Sequence, residues 1–269
     1  MSKVLAAIDN SAAARPVLAA GAAFARLLHA DLEALHLREN GDRTARAAAE
    51  AAGLPLRELA VRELPGSKIA ALLAAGEAAD VEAMVVGARA SRIGRRPVGH
   101  IALELIVSQL KPLLVVPPHA FVPERFQRIL VPLDGTRMTS AALAQTIELA
   151  HDSDVDVVAL HVHEQDSLPL FSDQPQHEVE TWRREFFARH CPHPEKVRLE
   201  VRVGIPAENV LRAASESESD LIALGWAQSL GEGRAAIVRE ALERSDVPIL
   251  LVPVVRGARH TTSDQHEAG

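Results

Sequence analysis

The feature that most constrains this 269-residue chain is that it repeats itself. The apolar run that ends at Asp9 returns in the middle of the chain, where it ends at Asp134. A second apolar run ends at His36, and its copy ends at His161. Both copies lie 125 residues after their originals, from position 9 to 134 and from 36 to 161. A constant spacing over two separate segments indicates a duplicated folding unit, so the halves can be compared residue by residue.

Each copy alternates short apolar segments with longer amphipathic ones. Apolar runs of about four to eight residues are typical of buried strands, and apolar residues at helical spacing are typical of helices that cover a sheet. Strands that alternate with helices form parallel sheets through right-handed crossovers. We therefore predict an α/β fold with two tandem, open, mainly parallel five-stranded sheets that carry helices on both faces.

A proline-containing stretch at 117–123 separates the copies, because three prolines cannot lie in a central strand. The predicted division is a first domain at 1–118, a linker at 119–127, a second domain at 128–255 and a flexible tail at 256–269. The strands that close the two domains, 113–116 and 249–252, are short and apolar. Exposed apolar edges promote aggregation. We therefore expect the domains to pack through these strands as an intramolecular pseudo-dimer.

Composition excludes several classes of partner. The net charge of −7 argues against sequence-independent binding to nucleic acid. The single cysteine, Cys191, cannot form an intrachain disulfide and fits a reducing compartment. No apolar run approaches the roughly 20 residues that span a membrane, and the segment after Met1 has no signal-peptide pattern. These features predict a cytoplasmic protein with no nucleic-acid or membrane partner.

The predicted sheet also indicates where a ligand binds. In open parallel sheets, ligands lie beyond the carboxyl ends of the strands, where the strand order changes direction. Asp9 and Asp134 end the first strand of each half, and Gly87 and Gly225 end the fourth. A glycine there lets a ligand or backbone approach closely. The loop that follows enters a helix N-terminus, which attracts phosphate.

The two loops that follow the fourth strands differ in charge. The first, 87–100, holds four arginines and three glycines, whereas the second, 225–238, holds one arginine and one carboxylate. Trp226 replaces Ala88, and an indole there would either fill the pocket or stack on a base. Electrostatics favours anion binding in the first half; the alternative is that these arginines form a solvated surface.

The aspartates and histidines also have simpler roles. Asp9 and Asp134 are good N-caps for the helices that follow them. His36 and His161 fit as packed side chains near the same edge, and His163 shares a strand face with His161. These histidines, together with His190, Cys191 and His193, show no recognisable metal-ligand spacing, so we assign no metal site.

The order and double occurrence of these segments resemble the universal stress protein family. The segments are the strands that lead into Asp-x-Ser/Thr, the second strands that end in histidine, and the closing Pro-Leu/Ile-Leu runs. The resemblance extends from Lys3 to about Val254, and it implies a tandem member with an adenine nucleotide alpha hydrolase-like fold. ATP-binding members resemble one another in a loop of the form G-x₂-G-x₉-G-[ST].

This chain departs from that loop pattern. Gly87 fits the first position, but Ala90 and His100 stand at the second and third, and Gly99 comes one residue early. In the second half only Gly225 fits. The resemblance therefore implies a stress-response protein that binds ATP or another adenine nucleotide, with Mg²⁺, in the first domain and has a degenerate site in the second.

The implied site and two alternatives complete the prediction. The implied binding residues are Ala7, Asp9, Ser11, His36, Gly87, Arg89, Arg96, Gly99 and His100. No residue stands out as a general base or nucleophile, so we expect weak ATPase activity at most. The alternatives are a nucleotide-independent module that binds an unidentified protein, and a slow ATPase or nucleotide sensor. The chain is expected to be a monomeric pseudo-dimer or a homodimer.

Overall fold

The structure, a computed structural model, describes residues 2–9, 14–36, 60–63, 68–88, 98–163, 197–228 and 234–254. Its strands are β1 (Lys3–Ile8), β2 (Asp31–His36), β3 (Ala60–Glu63), β4 (Val81–Gly87), β5 (Leu113–Val116), β6 (Arg128–Pro132), β7 (Asp156–His163), β8 (Val197–Val203), β9 (Leu221–Trp226) and β10 (Ile249–Pro253). Its helices are α1 (Ala14–Leu27), α2 (Lys68–Glu77), α3 (His100–Ser108), α4 (Arg137–Asp152), α5 (Pro206–Glu216) and α6 (Arg234–Arg244). We call β1–β5 with α1–α3 the first half, and β6–β10 with α4–α6 the second half.

All of the strands belong to one sheet, in the order β3-β2-β1-β4-β5-β10-β9-β6-β7-β8. Neighbouring strands within each half are parallel, and the pair that joins the halves, β5 and β10, is antiparallel. The predicted α/β class and the intramolecular pseudo-dimer are confirmed. The two five-stranded sheets are fused edge to edge, and this pairing covers the apolar edge strands that would otherwise be exposed.

The joint between the halves is symmetric. Leu114 lies opposite Leu250, and the flanking pairs are Val115 with Ile249 and Leu113 with Leu251. These segments occupy equivalent places in the two copies, so exchanging the halves reproduces the same pairs. An approximate two-fold axis therefore passes between Leu114 and Leu250, as in an isologous interface between two subunits.

The duplication extends to the turns. His29 follows α1 with φ 51° and Asp154 follows α4 with φ 56°, and these positions are 125 residues apart. In both turns the N–H of the following residue, Ala30 or Val155, donates to the carbonyl oxygen five residues earlier, at 2.9 Å and 2.8 Å. This left-handed closure of a helix is the same in both copies. Such agreement between unlike residues shows that the backbone geometry of the repeat is preserved.

Helices cover both faces of the sheet. One apolar cluster packs α1 and α4 on one face, and a second packs α2, α3, α5 and α6 on the other. Alternate residues of β1 divide between them, with Val4 and Ala6 in the first cluster and Leu5 and Ala7 in the second. The core is therefore two layers, each of which runs through both halves.

Several predicted elements shift or cannot be compared. The sequence pattern predicts a helix at 98–110, and in the structure it spans His100–Ser108, because Gly99 and Gln109 have extended backbone at its two ends. The sequence pattern also predicts helices at 43–52 and 177–189, which lie outside the described residues. In the part of the chain that the structure covers, no helix has the length and apolar character to cross a membrane. The domain boundaries at 118 and 128 stay a prediction.

Candidate functional site

In each half, the strand order changes direction at the same place in the sheet. The order runs from β1 outward to β2 and β3 on one side, and then crosses to β4 and β5 on the other. In the second half, β6 lies in the same way between β7 and β9. The crevices beside the carboxyl ends of β1 and β6 are therefore the expected ligand sites of an open α/β sheet.

In the first half, this edge brings together three of the predicted residues. Ile8 pairs with His36 at the end of β2, so Asp9 follows directly beside that histidine. Ala7 pairs with Val86, which places Gly87 one step further along, at the level of Ile8. The His36 side chain is fully buried, as expected for a packed histidine. Asp9, His36 and Gly87 thus lie at or directly after the carboxyl ends of three adjacent strands, β1, β2 and β4.

The loop predicted to hold phosphates begins and ends at this edge. The Ala88 N–H donates to the Val116 carbonyl at 2.8 Å, and the Gly99 N–H donates to the Ala88 carbonyl at 2.7 Å. Gly99 is the N-cap of α3 and has no side-chain cap, so the helix begins beside the end of β4. His100 is exposed, and its Nε2 lies 3.9 Å from Glu104 Oε1. The first turn of α3 therefore faces this end of the sheet.

Three of the predicted site residues cannot be placed. Ser11, Arg89 and Arg96 lie outside the described residues. Their contribution to the site stays a prediction.

The second half contains a cavity of about 530 Å³ at the equivalent edge. It lies beyond the carboxyl ends of β6 and β7, where α5 and α6 begin. Its lining residues are Pro132, Leu133, Asp134, Leu160, His161, Val162, His163, Ile205, Pro206, Ala207, Val210, Ala236 and Ile237. Sequence comparison predicted a degenerate site here, but the phosphate-loop pattern on which it relied says little about the space between strands and helices.

Asp134 does not cap α4, so this part of the prediction was wrong. The N-cap is Thr136, whose hydroxyl accepts from the Thr139 N–H at 3.3 Å. Asp134 Oδ1 instead accepts from the Thr136 N–H at 3.0 Å and from its hydroxyl at 2.9 Å. The intervening Gly135 has φ 77°, which favours glycine. Asp134 therefore holds the capping residue and remains exposed at the cavity.

His161 forms a fixed wall of this cavity. Its Nδ1 lies 2.8 Å from the Leu133 carbonyl oxygen, and since a carbonyl can only accept, Nδ1 carries the proton. The ring meets His163 edge to face, with centroids 4.5 Å apart, which confirms that the two histidines share a strand face. Burial and the neighbouring His163 lower the pKa of His161, against the opposing effects of the Leu133 carbonyl and Asp134. The imidazole is therefore neutral at pH 7.

Trp226 neither fills the cavity nor stands ready to stack on a base, contrary to both predicted roles. Its indole Nε1 donates to the carbonyl oxygen of Ile106 at 2.6 Å, in α3 of the other half. The side chain is buried. Gln228 follows it and donates from Nε2 to the Gln109 carbonyl at 2.5 Å. The start of this loop therefore contacts the first half instead of a ligand.

Gly225 has a packing role. A Cβ at this position would lie 3.1 Å from Thr139 Cγ2 and 3.2 Å from Val254 Cγ2. The Cα of Thr139 would be only 3.7 Å away. The predicted close approach at Gly225 is thus made by the first turn of α4, which occupies the space above the end of β9.

Other contributions to the site came from the tertiary structure alone. Pro206, Val210 and Ile237 line the cavity although they are distant in sequence from β6 and β7. Their apolar helical spacing indicates only that they face the interior. Among the described residues, no group of three or more His, Cys, Asp or Glu side chains is placed to hold a metal ion.

These observations define an open, doubly wound α/β protein whose two halves share one strand order, and comparisons with known proteins agree. The sequence model of the universal stress protein family matches residues 125–253. A universal stress protein of Methanocaldococcus jannaschii is 22% identical over 139 residues, which cover 47% of this chain and 82% of the relative.

Solved structures extend the fold match to both halves. A universal stress protein of Archaeoglobus fulgidus superposes with a TM-score of 0.64 at 16% identity, covering 94% of this chain and 98% of that one. A Pseudomonas aeruginosa structure assigned to the same type gives a TM-score of 0.68 at 14% identity, covering 94% and 93%. The second half therefore matches the universal stress protein family in sequence, and both halves share the fold of these solved structures.

Proposed function

We propose that this is a cytoplasmic stress-response protein whose first half binds ATP or another adenine nucleotide. The observation that supports this most directly is the equivalence of the two edges. Pro132, Asp134 and His161 line a cavity in the second half, and they stand where the first half has Ala7, Asp9 and His36. The same backbone geometry thus favours a ligand pocket between Asp9 and Gly87.

The charge of the first-half loop supports a phosphorylated ligand there. Arg89, Arg95 and Arg96 lie in the loop whose ends are held together by the bonds between Ala88, Val116 and Gly99. This loop runs into the N-terminus of α3, where N–H groups and the helix dipole stabilise anions. Asp9 would hold the nucleoside, the arginines and the N–H groups of Gly99 and His100 the phosphates, and Mg²⁺ would accompany the phosphates.

Isothermal titration with ATP and Mg²⁺ tests the proposal. We expect saturable heat for the unaltered protein and at least a tenfold weaker affinity for Asp9→Ala, because a hydrogen bond to a charged group contributes roughly 1.5–3 kcal/mol. The same substitution in the other copy, Asp134→Ala, is the matched control and should leave ATP affinity unchanged. Equal loss in both variants would contradict a site in the first half.

The two alternatives give different results in the same samples. A nucleotide-independent interaction module would show no heat with ATP and would capture the same partner protein with or without it. A slow ATPase would release phosphate in single-turnover assays, and that release would fall in Asp9→Ala in parallel with binding.

A further inference from the structure

The outer surface of α3 carries apolar side chains that the core does not explain. Leu103 and Val107 lie one turn apart and are partly buried, and Leu110, just beyond the helix end, is 69% exposed. The residues that α3 buries against the sheet are others, namely Ala102, Leu105 and Ile106. We call Leu103, Val107 and Leu110 the outer stripe. Contiguous apolar residues on the outside of a surface helix indicate a contact surface.

The second half shows what this surface is like without the outer stripe. Leu114 corresponds to Leu250, a spacing of 136 residues that also takes the last residue of α3, Ser108, to the last residue of α6, Arg244. At this spacing the outer stripe corresponds to three charged residues that are all exposed: Arg239, Glu243 and Asp246. The duplicated fold therefore does not require apolar residues at these positions.

Helix α2, which packs beside α3, differs from its copy in the same way. Ala83 pairs with Val4 as Leu221 pairs with Ile129, which sets the spacing in this part of the chain at 138 residues. Three exposed positions at intervals of one turn are alanines: Ala70, Ala74 and Ala78. The corresponding residues of α5 are charged: Glu208, Arg212 and Glu216. The uncharged surface therefore extends over two helices of the first half.

The outer stripe is complementary to itself. Its spacings of four and three residues are those of a coiled-coil seam. When two copies of α3 run antiparallel with Val107 at the two-fold axis, Leu103 lies opposite Leu110 of the second copy. All three side chains are then covered by the same three side chains of the other chain, as in an isologous interface.

The same arrangement brings opposite charges together. The Glu104 side chain is 44% exposed beside the outer stripe, and it lies at the level of Lys111 of the second copy. Lys111 Nζ donates to the carbonyl oxygens of Ala78 and Val81 at 2.5 Å and 2.7 Å, which uses two of its three N–H groups and leaves the third for a carboxylate. The two-fold axis forms this pair twice. An anionic lipid surface, in contrast, is disfavoured by the net charge of −7.

We propose that two copies of this chain associate through the outer stripe of α3, flanked by the alanines of α2. Because α6 is charged at the equivalent positions, association ends at two copies and does not continue into a filament. The contact between short helices is small, and interfaces below roughly 1,200 Å² are typical of weak complexes, so the dimer is reversible. This inference goes beyond the nucleotide site proposed for the first half and does not depend on it.

Sedimentation equilibrium of the unaltered protein tests the proposal. We expect a reversible monomer–dimer equilibrium at concentrations between about 1 μM and 1 mM, with no larger species. Leu110→Asp introduces the residue that the second half has at the corresponding position, Asp246. It should weaken dimerisation at least tenfold, because the burial of one leucine is worth about this factor or more.

Two pairs of variants locate the contact. Glu104→Lys should also weaken dimerisation, most strongly at low salt, because Lys111 of the second copy would then face a like charge. Glu243→Lys makes the same charge change on α6 and should leave dimerisation unchanged. In a Cys191→Ser background, Val107→Cys should form a disulfide-linked dimer under mild oxidation, because this side chain meets its own copy at the axis. Glu243→Cys, at the corresponding position of α6, is its control.

Three results would overturn the proposal. They are a protein that stays monomeric over this range of concentration, dimerisation that is unchanged in Leu110→Asp, and a Glu243→Cys variant that cross-links as fast as Val107→Cys. A monomeric protein that floats with phosphatidylserine vesicles, and no longer does so in Leu110→Asp, would assign the outer stripe to a lipid surface instead. Circular dichroism of each variant should match that of the unaltered protein.

Discussion

The indole Nε1 of Trp226 donates to the carbonyl oxygen of Ile106 at 2.6 Å, and this bond joins the two halves of the chain. Ile106 lies in the last turn of α3, where carbonyls lack partners within the helix. Gln228 adds a second bond to the Gln109 carbonyl just beyond the helix end. Two side chains of the second half therefore cap a helix of the first, beside the antiparallel pair β5 and β10.

Replacing Trp226 with Phe should destabilise the protein by about 1–3 kcal/mol, because a buried carbonyl loses its donor. Urea unfolding of wild type and variant measures the difference. The loss of stability should be concentrated at the junction between the two halves. Hydrogen exchange of the amides in α3 should therefore accelerate more than exchange in α1. A loss below about 0.5 kcal/mol, or equal acceleration in both helices, would contradict the capping role.

Trp226 also shows why sequence predicted the fold better than the site. The short apolar runs are local patterns, and the 125-residue repeat can be read from the sequence alone. Together they were enough to predict the sheet, its helices on both faces and the edge strands that join the halves. The direction of the Trp226 indole depends on where α3 of the other half lies. No pattern within its own loop contains that information.

The second-half cavity escaped prediction for a related reason. Sequence comparison could examine only the phosphate loop, whereas part of the cavity wall comes from α5 and α6, which are far from β6 along the chain. Asp134 was assigned as a cap because aspartate is a good cap, but Thr136 is also a suitable cap and lies next to α4. Two suitable residues within three positions cannot be ranked without the turn geometry.

The junction should behave as a specific interface. Leu114 and Leu250 are directly opposed at the approximate two-fold axis, and both are buried. Each Leu→Ala change should cost about 2–5 kcal/mol. In a double-mutant cycle the pair should couple by about 0.5–1 kcal/mol, since the side chains are cross-strand neighbours. Leu114→Ala combined with Leu35→Ala in β2 is the control and should be additive, because β1 and β4 separate those strands.

Gly225→Ala should destabilise the second half by about 1–3 kcal/mol, the usual effect of overpacking. The added Cβ would meet Thr139 Cγ2 at 3.1 Å and Val254 Cγ2 at 3.2 Å. Thr139→Ser removes the nearer methyl group, so the double variant should recover part of the lost stability in thermal unfolding. If the serine substitution gives no recovery, contact with α4 is not the reason for the glycine.

Protonation of His161 should lower the stability of the fold below neutral pH. Burial and His163 lower the pKa of this imidazole from its ordinary value of 6.5, so the unfolded chain takes up the proton at a higher pH than the folded one. The unfolded state then binds more protons, and the free energy of unfolding falls as pH drops below about 6.5 until the folded-state pKa is passed. His161→Gln, which can still donate to the Leu133 carbonyl, should flatten this part of the pH profile measured by urea unfolding. His119→Gln, at an exposed position between the halves, is the control, and an equal change in both profiles would exclude His161 as the cause.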